Sequence, residues 1–229
     1  MLLKYLVAQR RPVHRDVLLD LLWPELAPDA AMNDLRVTLH SLRRALAPAS
    51  GGTAADPVIN VGAVYFLNSA ADVWVDADAF SKRFEAGLRS ERQSGLDKAS
   101  REYTAAEDLY RDDFLVEDVY EEWTVLRREE LRDQYLLVLT KMAQHCLVSG
   151  DPEGCIVRCH KLLSKEPCNE DAYQRLMRAY ARLGQYGRAT HWYEVCERTL
   201  RKELDVTPSA ETRRVYHEIG LHGAADNGQ

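Results

Sequence analysis

The sequence lacks the features of membrane-spanning and exported proteins. Its longest apolar runs extend only a few residues, far short of the roughly 20 that a helix needs to cross a bilayer. The opening, MLLKYLVAQRR, places its basic pair after the apolar run, whereas a signal peptide has its basic residues first. These absences predict a cytoplasmic protein with no membrane partner.

The sequence also lacks the short motifs of common enzymes. We find no Gly-rich phosphate loop followed by Lys-Ser/Thr, no HExxH, no GxSxG and no dinucleotide fingerprint. The carboxylate pairs Glu121-Glu122 and Glu129-Glu130 lie in helical sequence, which favours solvated faces over acid–base catalysis. We therefore expect no enzyme and no cofactor.

Paired CxxC motifs are missing as well. The cysteines number five, an odd count that gives no disulfide framework; they are Cys146, Cys155, Cys159, Cys168 and Cys196. A metal site formed by Cys155, Cys159 and the adjacent His160 is the less favoured alternative. Reduced thiols in a helical core are the favoured interpretation, so we expect no metal.

Charge is unevenly spread along the 229 residues. The net charge is −6, but residues 1–70 hold seven basic and six acidic side chains, against 23 and 30 in the remainder. Binding to nucleic acid follows the local field rather than the total charge. The composition therefore argues against a protein that coats nucleic acid with its whole surface. It does not exclude a DNA-binding segment.

The stretch Ala30–Leu46 has the pattern of a DNA-reading helix. Met32, Leu35, Leu39, Leu42 and Leu46 recur every three or four residues and predict an apolar back. The front carries polar side chains with donors for base edges and phosphates, and these are Asn33, Arg36, Thr38, His40, Ser41, Arg43 and Arg44. The alternative is an ordinary amphipathic helix with a solvated face, in which Arg43 and Arg44 are cations favoured by the helix dipole at a C-terminus.

The neighbouring segments favour DNA binding. We predict helices over 2–8 and 15–22, the second stopped by Trp23-Pro24, and Asp29 as the N-cap of the third helix. The two helices before and after the turn form a helix-turn-helix. A flexible loop over 47–57 and a β-hairpin over 58–67 follow. A hairpin directly after the recognition helix completes a winged helix.

The remainder of the chain is predicted to be helical. In a long helix that ends near Val148, we expect Leu126, Leu131, Leu136, Leu139 and Met142 to point inward. A shift of 34 residues aligns Gly150 with Gly184 and Cys146 with Tyr180. This period is that of tetratricopeptide helix pairs. The repeat places Cys146, Cys155, Cys159 and Cys196 in the core, and Asn169 as an N-cap.

The repeats also suggest a groove for a partner or effector. Its expected lining is Tyr173, Arg175, Arg178, Tyr180 and Arg182. Such a groove suits an acidic peptide, a second protomer, RNA polymerase or a small anionic effector. Solvated arginines around an aromatic core are an equally good interpretation.

Three stretches together resemble the SARP-type bacterial transcriptional activators: LLKYLVAQRRPVHRDVLLDLLWPEL, AAMNDLRVTLHSLRRAL and DVWVDADAF. Downstream, YRDDFLVEDVYEEW and RLMRAYARLGQYGRATHWYEVCERTL are similar to the activator domain of that family. The resemblance covers roughly residues 2–219. It implies a mainly α fold, with an OmpR-like winged helix-turn-helix over 1–70 and a tetratricopeptide-like bacterial transcriptional activator domain over 71–222. We expect a disordered tail over 223–229.

The resemblance implies a DNA-binding transcription regulator, an activator. Its partners would be double-stranded DNA, RNA polymerase and a second copy in a homodimer. Arg36 and Asn33 would reach base edges, with His40 and Arg44 further along the same face. Thr38, Ser41 and Arg43 would hold phosphates.

Two departures from the family favour a rival function. The N-terminal sheet of the family fold is missing ahead of the first helix, so the chain is truncated or one apolar face of the domain is uncovered. The hairpin over 58–67 carries no Lys or Arg for DNA contacts. The rival is a tetratricopeptide-like protein-interaction scaffold with a degenerate winged helix.

Overall fold

The computed structural model describes residues 1–46, 55–71 and 73–226, with side chains described as far as residue 221. Most of the loop expected over 47–57 lies outside these residues. Within the described ranges, no helix has both the length and the apolar character that crossing a membrane requires. The chain is mainly α, as predicted.

Ten α-helices and three β-strands are described, together with a short 3-10 helix at Val116–Asp118. The helices of the first part and the strands are α1 Leu2–Gln9, β1 Val13–His14, α2 Arg15–Leu22, α3 Pro28–Ala45, β2 Val58–Val61 and β3 Val64–Leu67. The remaining helices are α4 Asp76–Ser94, α5 Leu96–Leu109, α6 Glu122–Ser149, α7 Pro152–Lys165, α8 Glu170–Arg182, α9 Tyr186–Leu204 and α10 Ala210–Asp226.

The chain divides into two compact units. Unit 1 comprises Met1–Ala79 and Asp112–Leu131, and unit 2 comprises Phe80–Arg111 and Arg132–Gln229. Two of the three unit boundaries fall within helices, namely α4 and α6. The compact units therefore divide the chain differently from the two predicted functional domains. The domain boundary at residue 70 stays a prediction.

Unit 1 is built around the helix-turn-helix. Leu18 of α2 and Leu35 of α3 are fully buried in one apolar cluster, together with Leu6 of α1 and Val58 of β2. The predicted α2 is found with its bounds unchanged. The third helix starts earlier than expected, because its N-cap is Ala27. Asp29 lies in the first turn, where the helix dipole still stabilises a carboxylate.

The predicted hairpin is present and belongs to a three-stranded antiparallel sheet of order β1-β3-β2. Strands β2 and β3 pair from Val58↔Leu67 to Val61↔Val64 around the turn at Gly62, whose φ of 62° favours glycine. The added strand β1 pairs Val13 with Tyr65. Its two residues are too short for a recognisable alternation in the sequence.

The segment 112–131 covers the first helix of unit 1. Tyr5 of α1 packs edge-on against Trp123, with ring centroids 5.2 Å apart. The ammonium of Lys4 contacts the carboxylates of Glu117 at 2.9 Å and Asp118 at 2.6 Å. The apolar face of α1 is thus buried, through a segment about 110 residues later in the chain.

The 34-residue repeat of unit 2 is visible in its backbone. Gly150 and Gly184 both adopt positive φ, 83° and 70°. After each, the next amide donates to the carbonyl five residues earlier: Asp151 to Cys146 at 2.8 Å and Gln185 to Tyr180 at 2.9 Å. The repeat prediction is confirmed at the level of individual hydrogen bonds.

Side-chain predictions in unit 2 are largely confirmed. Asn169 caps α8 by accepting a hydrogen bond from the Ala172 amide, and Cys146, Cys155, Cys159 and Cys196 are buried.

Two other expectations were wrong. Leu126, expected inward, is 83% exposed in unit 1, because the buried positions of that turn of α6 are Thr124 and Arg127. Helix α10 continues to Asp226, so residues 223–226 of the expected disordered tail are helical.

Close packing at Gly87 predicts a measurable loss of stability. A Cβ at Gly87 would lie 2.5 Å from Cε1 of Tyr103, a fully buried ring whose hydroxyl donates to Glu91. Gly87→Ala should therefore lower the free energy of unfolding by about 1–3 kcal/mol, measured by urea denaturation.

Gly220→Ala is the matched control for this change. Gly220 is also helical, but a Cβ there meets nothing within 4 Å. It should raise stability by up to about 1 kcal/mol, since Ala is the better helix former. Equal effects of the two changes would contradict the packing argument.

Candidate nucleic-acid interface

The rotation of α3 is fixed by its apolar back. Ala31, Leu35 and Leu39 are at most 4% exposed, and the opposite side of the helix therefore faces away from the unit 1 core. The exposed polar residues of α3 are Asp29 in the first turn and then Asn33, Arg36, His40, Ser41 and Arg44, while Thr38 is half-buried on the flank. The sequence prediction of an apolar back and a polar front is confirmed.

Four of the exposed residues form one stripe. Asn33, Arg36, His40 and Arg44 follow each other at steps of three and four, which places them along one line of an α-helix. Within the described residues, no hydrogen bond or ion pair engages the side chains of Arg36, His40 or Arg44. Their donors are therefore free to bind an external acceptor.

Arg43 is used inside the domain instead. Its Nε lies 2.8 Å from Oδ2 of Asp56, and its Nη2 donates to the carbonyl of Val58 at 3.0 Å. Oδ1 of Asp56 also accepts from the Val58 amide at 3.0 Å. This network connects the C-terminal turn of α3 to the start of β2. The guanidinium expected to hold a phosphate thus already has internal partners.

Val37 is the residue of this face that the sequence analysis missed. It lies four residues after Asn33 and three before His40, and its side chain is 58% exposed. The available signal was its position: the apolar back recurs at 32, 35, 39 and 42, and residue 37 falls opposite to it.

The hairpin contributes no cation to this interface, since residues 58–67 contain no Lys or Arg. Its turn is fixed against α2, because the Arg15 amide donates to the carbonyl of Ala63 at 2.6 Å. Val61 beside the turn is 66% exposed. The hairpin thus supports the fold of unit 1, and the carboxamide of Asn60 is its one exposed polar side chain.

The expected partner groove on α8 is not an open basic surface. Tyr173 and Tyr180 are buried. Arg175 pairs with Asp171, Arg178 lies 3.5 Å from Glu211, and Arg182 donates to the carbonyl of Leu147. The structure therefore does not bring these five side chains together as free groups.

The cysteines have the character of core residues. Burial raises the pKa of Cys146 to about 11 and that of Cys196 to about 12, so both are thiols at neutral pH. Metals bind the thiolate form. Among the described residues, no cluster of three or more His, Cys, Asp or Glu is arranged to hold a metal ion.

Comparison with known proteins identifies similar sequences over most of the chain. A family model described as the bacterial transcriptional activator domain matches residues 75–220. The regulatory protein DnrI of Streptomyces peucetius is 29% identical over 206 residues, which are 88% of this chain and 75% of DnrI. The transcriptional regulatory protein MoaR1 of Mycobacterium tuberculosis is 25% identical over 214 residues, 93% of this chain and 68% of MoaR1.

A solved structure has the same fold. EmbR of Mycobacterium tuberculosis, in complex with a low-affinity phosphopeptide, matches 96% of this chain with a TM-score of 0.76 and 24% identity. The chain spans 58% of that EmbR chain. At this level of identity the likeness concerns the fold alone.

The internal role of Arg43 predicts a stability difference between neighbouring arginines. Arg43→Ala removes the ion pair with Asp56 and the hydrogen bond to Val58. It should lower the free energy of unfolding by about 1 kcal/mol. Arg44→Ala, the matched control, should change it by less than about 0.5 kcal/mol. Thermal unfolding of both variants checks this, and equal losses would contradict it.

The raised thiol pKa values predict selective alkylation in the folded protein. Cys168 is partly exposed, whereas Cys146 and Cys196 are buried. At pH 8, iodoacetamide should modify Cys168 first, because the thiolate is the reactive form and is scarce at the other two sites. Peptide mass spectrometry over time gives the order, with urea-unfolded protein as the control in which all sites react. Modification of Cys196 as fast as Cys168 would disprove the prediction.

Proposed function

This chain belongs to the bacterial transcriptional activator domain family, and from that premise we propose that it is a DNA-binding transcription regulator that activates promoters. The observation that carries the proposal is the stripe of free donors on α3. A helix that buries Leu35 and Leu39 and exposes Arg36, His40 and Arg44 has the shape and chemistry to enter a major groove.

Individual roles follow from the chemistry of the base edges. Arg36 is suited to guanine, whose O6 and N7 accept two hydrogen bonds, and Asn33 is suited to adenine. His40 and Arg44 extend the same line by one and two turns. Ser41 on the rim, with Thr38 on the flank, is assigned to the phosphate backbone, which sets the register.

Arg43 has a positioning role in this proposal. Its contacts with Asp56 and Val58 hold the end of α3 against the sheet, so the angle at which α3 enters the groove depends on it. The hairpin has no cation, and Asn60 is its one exposed polar side chain. Most of the DNA reading is therefore assigned to α3.

The named relatives support the regulatory class. DnrI is a regulatory protein and MoaR1 a transcriptional regulatory protein, and both match across the α3 region as well as the repeats. We propose DNA binding by residues 1–70 and activation by residues 71–222, in the cytoplasm. The partners are double-stranded DNA, on directly repeated half-sites, and RNA polymerase or a second copy at the helical repeats.

A DNA-binding measurement tests the proposal. Fluorescence anisotropy on DNA from upstream of its own gene, at two salt concentrations, should show binding that weakens with salt, because phosphate contacts release counterions. Arg36→Ala/His40→Ala should raise Kd by about 10- to 100-fold, since the bidentate contact assigned to Arg36 is by itself worth roughly 1–3 kcal/mol.

A matched double variant controls for loss of positive charge. Arg198→Ala/His191→Ala removes the same two residue types from exposed positions of α9, and it should bind as the wild type does. If the wild-type chain shows no salt-sensitive preference over scrambled DNA, the regulator proposal fails. Equal losses in both double variants would assign binding to general charge rather than to α3.

A further inference from the structure

The segment 112–131 of unit 1 concentrates exposed apolar side chains. Of the seventeen large hydrophobic side chains that are exposed among the described residues, five lie within 116–126, and elsewhere no stretch of eleven described residues has more than two. The five are Val116, Val119, Tyr120, Val125 and Leu126. Single exposed apolar residues are common on protein surfaces, whereas a group of them indicates a surface that binds a partner.

The backbone under these side chains is held in place. The guanidinium of Arg128, in the second turn of α6, donates to the carbonyls of Phe114 and Leu115 at 2.8 and 2.9 Å. It also donates to the carbonyl of Asp118 at 3.2 Å. These bonds bring the residues before α6 against its first two turns, so the exposed side chains of both parts share one region of the surface. A partner would not have to order this region, which lowers the entropic cost of binding.

The same segment is strongly acidic. Residues 112–131 hold eight acidic and two basic side chains, a net charge of −6, which equals that of the whole chain. Both basic residues are used internally, since Arg127 is buried and paired with acidic neighbours and Arg128 binds backbone carbonyls. The carboxylates of Glu122 and Glu129 are exposed, and no hydrogen bond or ion pair with a described residue engages them.

Charge and apolar area are combined on one line of α6. Glu122, Leu126 and Glu129 follow each other at steps of four and three, which places them on the same helix face. Leu126 is 83% exposed, and the nearby Tyr120 is 99% exposed. An exposed leucine between two unpaired carboxylates is complementary to an apolar side chain that has a cation on either side.

This charge selects among the possible occupants. DNA phosphates and anionic lipids carry the same sign as the surface and are repelled by it. Two copies that met through this same surface would place their carboxylates opposite each other, because a two-fold contact joins identical patches. A basic protein segment pairs with the carboxylates and covers the apolar side chains.

We propose that the surface of the segment 112–131 binds a basic amphipathic protein segment, a helix with apolar side chains on one face and Lys or Arg beside them. Tyr120 and Leu126 are the apolar contacts that lose water on binding, and an exposed tyrosine is among the side chains that contribute most at interfaces. Glu122 and Glu129 pair with the cations and favour a basic partner over a neutral one. Binding here uses neither α3 nor DNA.

Two designed peptides test the chemistry of the partner. One is an amphipathic helix of about 18 leucine and lysine residues, with leucines at i, i+3, i+4 and i+7, and the other has every lysine replaced by glutamate. Fluorescence anisotropy with the full chain should show binding of the leucine–lysine peptide that weakens as salt rises, because ion pairs at the rim are screened. The leucine–glutamate peptide should not bind.

Two double variants locate the binding surface. Tyr120→Ala/Leu126→Ala should raise the Kd of the leucine–lysine peptide about tenfold, since it truncates both apolar contacts. Because these side chains are exposed, their loss leaves the core of unit 1 intact. Glu122→Gln/Glu129→Gln should raise Kd about three- to tenfold and reduce the salt dependence.

Matched variants in unit 2 control for general effects. Val148→Ala/Leu221→Ala removes two large apolar side chains that are 79% and 72% exposed. Glu153→Gln/Glu194→Gln removes two exposed carboxylates. Both double variants should bind the leucine–lysine peptide as the wild type does.

Several results would overturn the proposal. It is disproved if the leucine–glutamate peptide binds equally well, if Tyr120→Ala/Leu126→Ala binds as the wild type does, or if the unit 2 variants lose as much affinity. Sedimentation velocity of the chain alone tests the other occupant. Self-association of the wild type that Tyr120→Ala/Leu126→Ala abolishes would assign this surface to a second copy instead.

Discussion

The burial of Leu35 and Leu39 is the constraint on which the rest of unit 1 depends. Both side chains are held in a cluster with Leu18 and Val58, so α3 cannot rotate without exposing them, at about 1.5–3 kcal/mol for each side chain. Because a helix repeats every 3.6 residues, fixing the back also fixes the front. The direction of Arg36 is therefore determined by residues that would never contact a ligand.

Much of the fold was predictable because it rests on repeated local patterns. The helical period gave α2 and α3, the run of β-branched residues gave the hairpin, and the 34-residue period gave the helix pairs of unit 2, including glycines with positive φ. The two-residue strand β1 has no such signal. It forms by pairing with β3, which lies about 50 residues later in the chain. Local sequence patterns do not reveal such a pairing.

The candidate site was predictable in its face but not in its individual contacts. The spacing placed Arg36, His40 and Arg44 together, and they are together and exposed. Arg43 is one residue from Arg44 in the same basic pair, and only the positions of Asp56 and Val58, 13 and 15 residues later in the chain, give it an internal role. Arg178 and Arg182 of α8 illustrate the same limit, since their partners Glu211 and Leu147 belong to other helices.

The interleaving of the two compact units along the chain has a consequence for how such genes can recombine. Trp123 and the acidic pair Glu117 and Asp118 contact α1, although more than a hundred codons separate them. A single crossover after the hairpin would combine α1 with the segment 112–131 of another gene. Two crossovers could transfer α1 together with its own segment 112–131. Under the proposed function, new DNA specificity is thus more readily acquired by substitutions on α3 than by exchange of the N-terminal gene segment.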